Sequence, residues 1–121
     1  MPGIQFTQED IIAAAELPAT WYPLKAQSII EGAGKSDPTS TTWTCKFLIT
    51  DGEFKGRVLD YWFSSKMMKN AIRYLKCFGV TVKAGESYPI ENTVDQPVQG
   101  YLIWDVNQLT MVIKDFKPAG R

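Results

Sequence analysis

The chain has 121 residues, of which 45% are hydrophobic, and its 13 basic and 13 acidic residues give a net charge of zero. This length fits a single domain over residues 1–121, and two cysteines are too few for a disulfide framework. The absence of histidine excludes Ser–His and Cys–His catalysis and histidine-bound metals, so we expect a binding protein rather than an enzyme.

The first half of the chain predicts a helix and two strands. Residues 7–10 place a threonine before acidic side chains, which is typical of a capped helix start. Residues 21–31 alternate as a first strand, with Ile30 on its inward side. A glycine- and serine-containing loop over 32–41 precedes a second strand over 42–50, which has the cleanest alternation in the chain.

The second half predicts three further strands and a helix. Two glycines in residues 51–56 indicate a hairpin turn into a third strand over 57–63. Apolar positions at helical spacing over 66–78 predict a helix. Two final strands over 101–106 and 109–117 form a last hairpin. Five strands with a helix between the third and the fourth are typical of the OB-fold, a small Greek-key barrel that commonly binds oligonucleotides.

The predicted architecture is therefore mainly β. A short N-terminal helix lies in a lead-in over residues 1–20, and a five-stranded OB-fold barrel follows over 21–117. The predicted core face of the helix between strands three and four comprises Met68, Ala71, Ile72 and Leu75. A second face of that helix, either solvated or in contact with a ligand, is a basic stripe of Lys66, Lys69, Arg73 and Lys76.

Two motifs that suggest catalysis are incomplete. Residues 32–36 look like the end of a phosphate-binding loop, but the full motif needs a glycine at the position of Ile29 and a helix where Pro38 follows. Asp51, Glu53 and Asp60 suggest the acidic cluster of a metal-dependent nuclease, but the first two are ordinary turn formers and Asp60 is expected about a strand's length away. We therefore expect no cofactor and no metal.

Charges and aromatic rings together indicate a nucleic-acid ligand. Residues 46–83 hold eight basic and three acidic side chains, whereas residues 84–108 hold four acids and no base, which predicts one basic face. Binding a single strand requires cations for phosphates and flat rings for bases, and each stacked base contributes about 1–3 kcal/mol. The alternatives are that the aromatic rings pack at the edge of the sheet and that the basic side chains are ordinary surface charges. The predicted site comprises Trp21, Lys25, Lys35, Lys46, Phe54, Lys55, Arg57 and Trp62.

The segment over residues 43–63 reads WTCKFLITDGEFKGRVLDYWF, in which Asp-Gly, an aromatic and a basic-Gly-Arg step join two strands. It resembles phage-encoded OB-fold single-stranded DNA-binding proteins, a family long described as a phage domain of unknown function. The likeness covers residues 6–79. It implies coating of single strands without sequence specificity in phage DNA replication or recombination, with local contacts from Lys46, Phe54, Lys55, Arg57 and Trp62.

The leading prediction is therefore a single-stranded DNA-binding protein, with RNA as the alternative nucleic acid. Phage recombination or replication proteins are further expected partners, and a homo-oligomer stays open. The alternative function is a non-enzymatic protein-interaction or structural module that uses the same barrel. No apolar run is long enough to span a bilayer and no secretory signal is present, so we expect a cytoplasmic protein, in the host cell if it is viral.

Overall fold

The strands form where apolar and polar residues alternate, because one side of each strand faces the core and the other faces solvent. A computed structural model describes residues 3–34 and 37–119. The prediction of a mainly β chain with five strands and a helix between the third and the fourth is confirmed. In chain order the elements are α1 (Gln8–Ala14), β1 (Thr20–Ala33), β2 (Thr41–Ile49), β3 (Val58–Ser64), α2 (Met68–Lys76), a short 3-10 helix (Ile90–Thr93), β4 (Pro97–Asp105) and β5 (Thr110–Pro118).

The five strands form one antiparallel sheet in the order β3-β2-β1-β4-β5. β1 is central, and its two partners pair with different parts of its length. Its residues 20–25 pair with β4, and its residues 24–33 pair with β2. The order β3-β2-β1-β4 is that of a Greek key, in which the fourth strand returns to lie beside the first.

The two edge strands of the sheet approach each other. Tyr61 on β3 and Phe116 on β5 have ring centroids 5.2 Å apart, and a gap of about 500 Å³ lies between the two strands. Within residues 3–34 and 37–119, no backbone ladder joins β3 to β5. The sheet is therefore curled, and side chains connect its edges.

Aromatic rings fill the inside of the curled sheet. Phe47, Phe63, Tyr74 and Phe116 pack with centroid separations of 5.0–6.4 Å. Tyr74 comes from α2 and is fully buried, and its hydroxyl lies 2.8 Å from Oγ1 of Thr93. The polar group that this ring carries into the core is thus hydrogen-bonded, as a buried hydroxyl must be.

The buried face of α2 differs from the predicted one. Ala71, Tyr74 and Leu75 are buried, whereas Met68 and Ile72 are exposed. Tyr74 is the reason, because its long ring reaches the centre of the aromatic cluster and its hydroxyl finds a partner there. The helix therefore presents to the core a face centred on Tyr74. Across the described part of the chain, no helix has the length and apolar character that a membrane crossing requires.

Candidate nucleic-acid interface

The outward side of β1, β2 and β3 forms one surface, here called the outer face. Its first row across the three strands is Ile30, Thr44 and Trp62. Its second row is Ser28, Lys46 and Asp60. Because successive side chains of a strand point to opposite faces, the residues between these rows point to the core.

Ile30 reaches the outer face because of a bulge in β1. The register of β1 against β2 shifts between Ala26 and Ser28, and one extra residue reverses the alternation beyond it. The prediction that Ile30 faces the core with Ala26 is therefore wrong. Ala26 is buried, and Ile30 is 65% exposed.

Trp62 is the exposed ring of the outer face. It is 61% exposed, whereas its neighbour Phe63 is buried in the core. The prediction that Trp62 points outward is confirmed, and its basis was the charge of Asp60, which sits two positions earlier on the same side of β3. A carboxylate is costly to bury, so Asp60 must face solvent. Because side chains of a strand alternate between its two faces, the orientation of Asp60 sets that of every other residue of β3.

A cleft of about 370 Å³ lies beside Trp62. Its lining combines the indole of Trp62 with the ammonium group of Lys66 and four hydroxyl side chains. The hydroxyls belong to Ser40, Thr42, Thr44 and Ser64, and Gly34 completes the lining. Hydroxyls both donate and accept hydrogen bonds, so they suit sugar and phosphate oxygens as well as base edges. Sequence reasoning missed these hydroxyls because serine and threonine are common on any solvated strand.

The lysines near the outer face are paired with aspartates. Lys46 is paired with Asp60 across β2 and β3. Lys66 lies 3.1 Å from Asp37, and Lys25 lies 3.5 Å from Asp95. Hydrogen bonds hold the pKa of Asp37 below its usual value. The one from Thr39 has the larger effect, and the one from Lys66 the next largest. The lysine charges are thus locally balanced, although exposed ion pairs of this kind contribute only about 0–1 kcal/mol each and can exchange partners.

Trp21 is separated from Trp62 by the length of β1. Ile30 lies nine positions after Trp21 along this strand, which corresponds to about 30 Å of extended chain. Trp21 packs edge-on against Tyr101 of β4, with ring centroids 5.4 Å apart, and the Lys117 ammonium lies 4.5 Å from its ring centroid. Trp21 therefore belongs to a second aromatic surface, on the β1-β4-β5 half of the sheet.

The hairpin between β2 and β3 turns two predicted contacts inward. Arg57 is only 3% exposed and donates a 2.7 Å hydrogen bond to the carbonyl of Ala15. Burial lowers the pKa of its guanidinium from the ordinary value. Phe54 is half-buried and packs edge-on against Tyr22, with centroids 6.3 Å apart. The prediction that Arg57 is a surface charge is wrong, because it ties the hairpin to the segment after α1.

Two predicted cations remain to be placed. Lys55 is exposed in the hairpin between β2 and β3. Lys35 lies outside the described residues. Of the eight predicted site residues, the outer face itself thus brings together Lys46 and Trp62, with Lys25 one row away beside Leu48.

Comparison with known proteins adds no name to this surface. No protein-family model matches the chain, and no curated protein matches it significantly. The resemblance of residues 43–63 to phage single-stranded DNA-binding proteins stays a prediction.

Proposed function

We propose that the chain is an OB-fold protein that binds single-stranded DNA, without sequence specificity, across the outer face and the adjoining cleft. The Greek-key strand order, the helix between the third and fourth strands and the approach of β3 to β5 support a partly open OB-fold barrel. OB-folds bind oligonucleotides on the face of strands two and three, beside the loop after strand one. The cleft beside Trp62 is lined by residues of β2, of β3 and of the loop after β1, which supports the proposal.

The observation that carries the proposal is the exposed indole of Trp62 on a regular strand. An indole offers up to about 250 Å² of surface, so an exposed fraction of 61% leaves on the order of 150 Å² open to solvent. A base that covers half of this area contributes about 2 kcal/mol at 25 cal/mol per Å². This value lies within the range measured for base–aromatic stacking, about 1–3 kcal/mol.

The surroundings of Trp62 suit single-stranded DNA of any sequence. Ile30, on the same row, extends the apolar surface on which a neighbouring base can lie. The hydroxyls of the cleft and Lys66 suit sugar and phosphate groups, which are the same in every nucleotide. Coating of single strands in phage replication or recombination, which the sequence resemblance implies, is the biological role that we propose with it.

Substitution of Trp62 tests the proposal directly. We expect Trp62→Ala to weaken binding of a fluorescein-labelled thymidine oligonucleotide by about tenfold to a hundredfold, and Trp62→Phe to retain most of the affinity. The melting temperature should change little because the ring is mostly exposed. Trp21→Ala is the matched control on the second aromatic surface. Unchanged affinity in Trp62→Ala, or stronger binding of duplex than of single strands, contradicts the proposal.

A further inference from the structure

An apolar groove lies between α2 and residues 82–91. It has a volume of about 500 Å³, and its walls include Met68 and Ile72 of α2, Val82, and Trp43 of β2. Met68 and Ile72 are the two large apolar residues of α2 that the core leaves exposed. Methionine adapts its shape readily, and aromatic and methionine side chains are enriched where proteins bind one another.

The rim of this groove is acidic. Glu31 of β1, Glu86 and Glu91 of the 3-10 helix line it, and no lysine or arginine does so among the residues that the structure describes. Glu31 accepts a 3.1 Å hydrogen bond from Nε1 of Trp43, and Glu86 accepts one of 3.0 Å from the hydroxyl of Tyr88. Two of the three carboxylates are thus held in place by groove residues.

The groove and the outer face lie on opposite sides of the sheet. Glu31 pairs with Trp43 in the row between Ile30–Thr44 and Gly32–Thr42, so both side chains point away from the face that bears Trp62. Three carboxylates around an apolar floor repel a phosphate backbone. The groove is therefore not a continuation of the nucleic-acid surface, and both can be occupied at once.

We propose that this groove docks a short segment of a partner protein in which apolar side chains alternate with lysine or arginine. The apolar walls bury the former, and the three glutamates, one from β1 and two from residues 82–91, pair with the latter. This charge complementarity also argues against a second copy of the chain as the occupant. One exposed apolar segment of the chain, Ile4 to Ile11, carries two acids and no base, so the acidic rim would repel it.

Methyl NMR of the methionines provides a readout with internal controls. Met68 lines the groove, Met67 faces the gap between β3 and β5, and Met111 is buried. The probes are acetylated ten-residue peptides of leucine and lysine, with one, two or three residues between the leucines. The matched control peptides carry glutamate in place of lysine.

We expect a leucine–lysine peptide to shift the Met68 methyl resonance and the leucine–glutamate peptides to leave it unchanged. The double variant Glu86→Gln/Glu91→Gln should weaken peptide binding about fourfold to twenty-five-fold, since two exposed ion pairs are lost and each contributes a factor of about two to five. Asp51→Asn/Glu53→Gln, the same charge change in the β2–β3 hairpin, should leave peptide affinity unchanged.

The inference does not depend on DNA binding, so Trp62→Ala should bind the peptide as the unaltered protein does. Three results overturn it: no lysine peptide shifts Met68, leucine–glutamate peptides bind equally well, or the lysine peptides shift Met67 instead. A Met68 shift caused by a thymidine oligonucleotide, and lost when the peptide is added, also overturns it because nucleic acid would then occupy the groove.

Discussion

Neutralising Asp60 should strengthen the proposed DNA binding, which is unusual for a substitution in a surface proposed to hold the ligand. Asp60 lies directly opposite Lys46 on the outer face and pairs with it. The two side chains are 72% and 51% exposed, respectively. In the free protein this carboxylate balances the lysine that a phosphate would otherwise contact, and it repels the incoming phosphate. Asp60→Asn removes both effects while keeping the size of the side chain.

The size of the gain follows from counterion release. Each phosphate contact on a single strand changes the logarithm of the binding constant by about 0.7 for every tenfold change in salt. One additional contact from Lys46 therefore raises affinity about fivefold at 0.1 M salt, and it steepens the salt dependence by about 0.7. Loss of an exposed ion pair costs the fold at most about 1 kcal/mol.

Fluorescence anisotropy with a labelled thymidine oligonucleotide, over about a tenfold range of salt, measures both quantities. Asp115→Asn is the matched control, since Asp115 lies on β5 and pairs with Arg73 of α2 at 3.3 Å. We expect no comparable gain from it. An equal gain in both variants would show that net charge, or the basic stripe of α2, governs binding. No gain in Asp60→Asn would refute a phosphate contact at Lys46.

Three further predictions concern stability. Arg57→Ala should lower the free energy of unfolding in urea by about 2–3 kcal/mol, because a buried charge-assisted hydrogen bond to Ala15 is lost, yet the folded variant should bind DNA normally by anisotropy. Tyr74→Phe should cost about 1 kcal/mol in the same titration, since its hydroxyl bonds Thr93 inside the core; no loss would argue against that bond. Burial raises the pKa of the Cys45 thiol from 9.0 to about 12, so the folded state keeps a proton that the unfolded state loses. Unfolding free energy should therefore fall as pH rises above about 9, and Cys45→Ala should lessen that fall in urea titrations at stepped pH.

The fold was predictable where each strand has one solvent-exposed face and one buried face. The second predicted strand, 42–50, matches β2 closely because its alternation is unbroken. The start of β4 was missed, since Pro97 and Gly100 are weak strand formers. A Cβ at Gly100 would displace Cδ1 of Leu24, so the space at this position is limited by a neighbour 76 positions earlier. Local patterns carry no trace of such a contact.

The candidate site was predictable only as far as strand parity reaches. Trp62 was placed correctly because the charge of Asp60 fixes the orientation of β3. Arg57 was misplaced because its partner, Ala15, lies 42 residues away and covers it only after folding. The side chain of Ile30 was assigned to the wrong face because β1 contains a bulge, and no residue type in the sequence indicates that bulge. The pairing of Lys46 with an aspartate depends on the β2–β3 register, which periodicity alone does not define.

The central position of β1 also determines the order in which the protein can assemble. β1, β2 and β3 follow one another in the sequence and pair as a meander. Thr20 of β1, in contrast, pairs with Leu102 of β4, which lies 82 positions later in the chain. Closing so long a loop is slow compared with forming a hairpin. During synthesis on the ribosome, the first half of β1 is thus an open strand edge until β4 emerges, and such edges pair readily with other chains. Aggregation during expression is accordingly a risk of this topology, above all for chains that stop before β4.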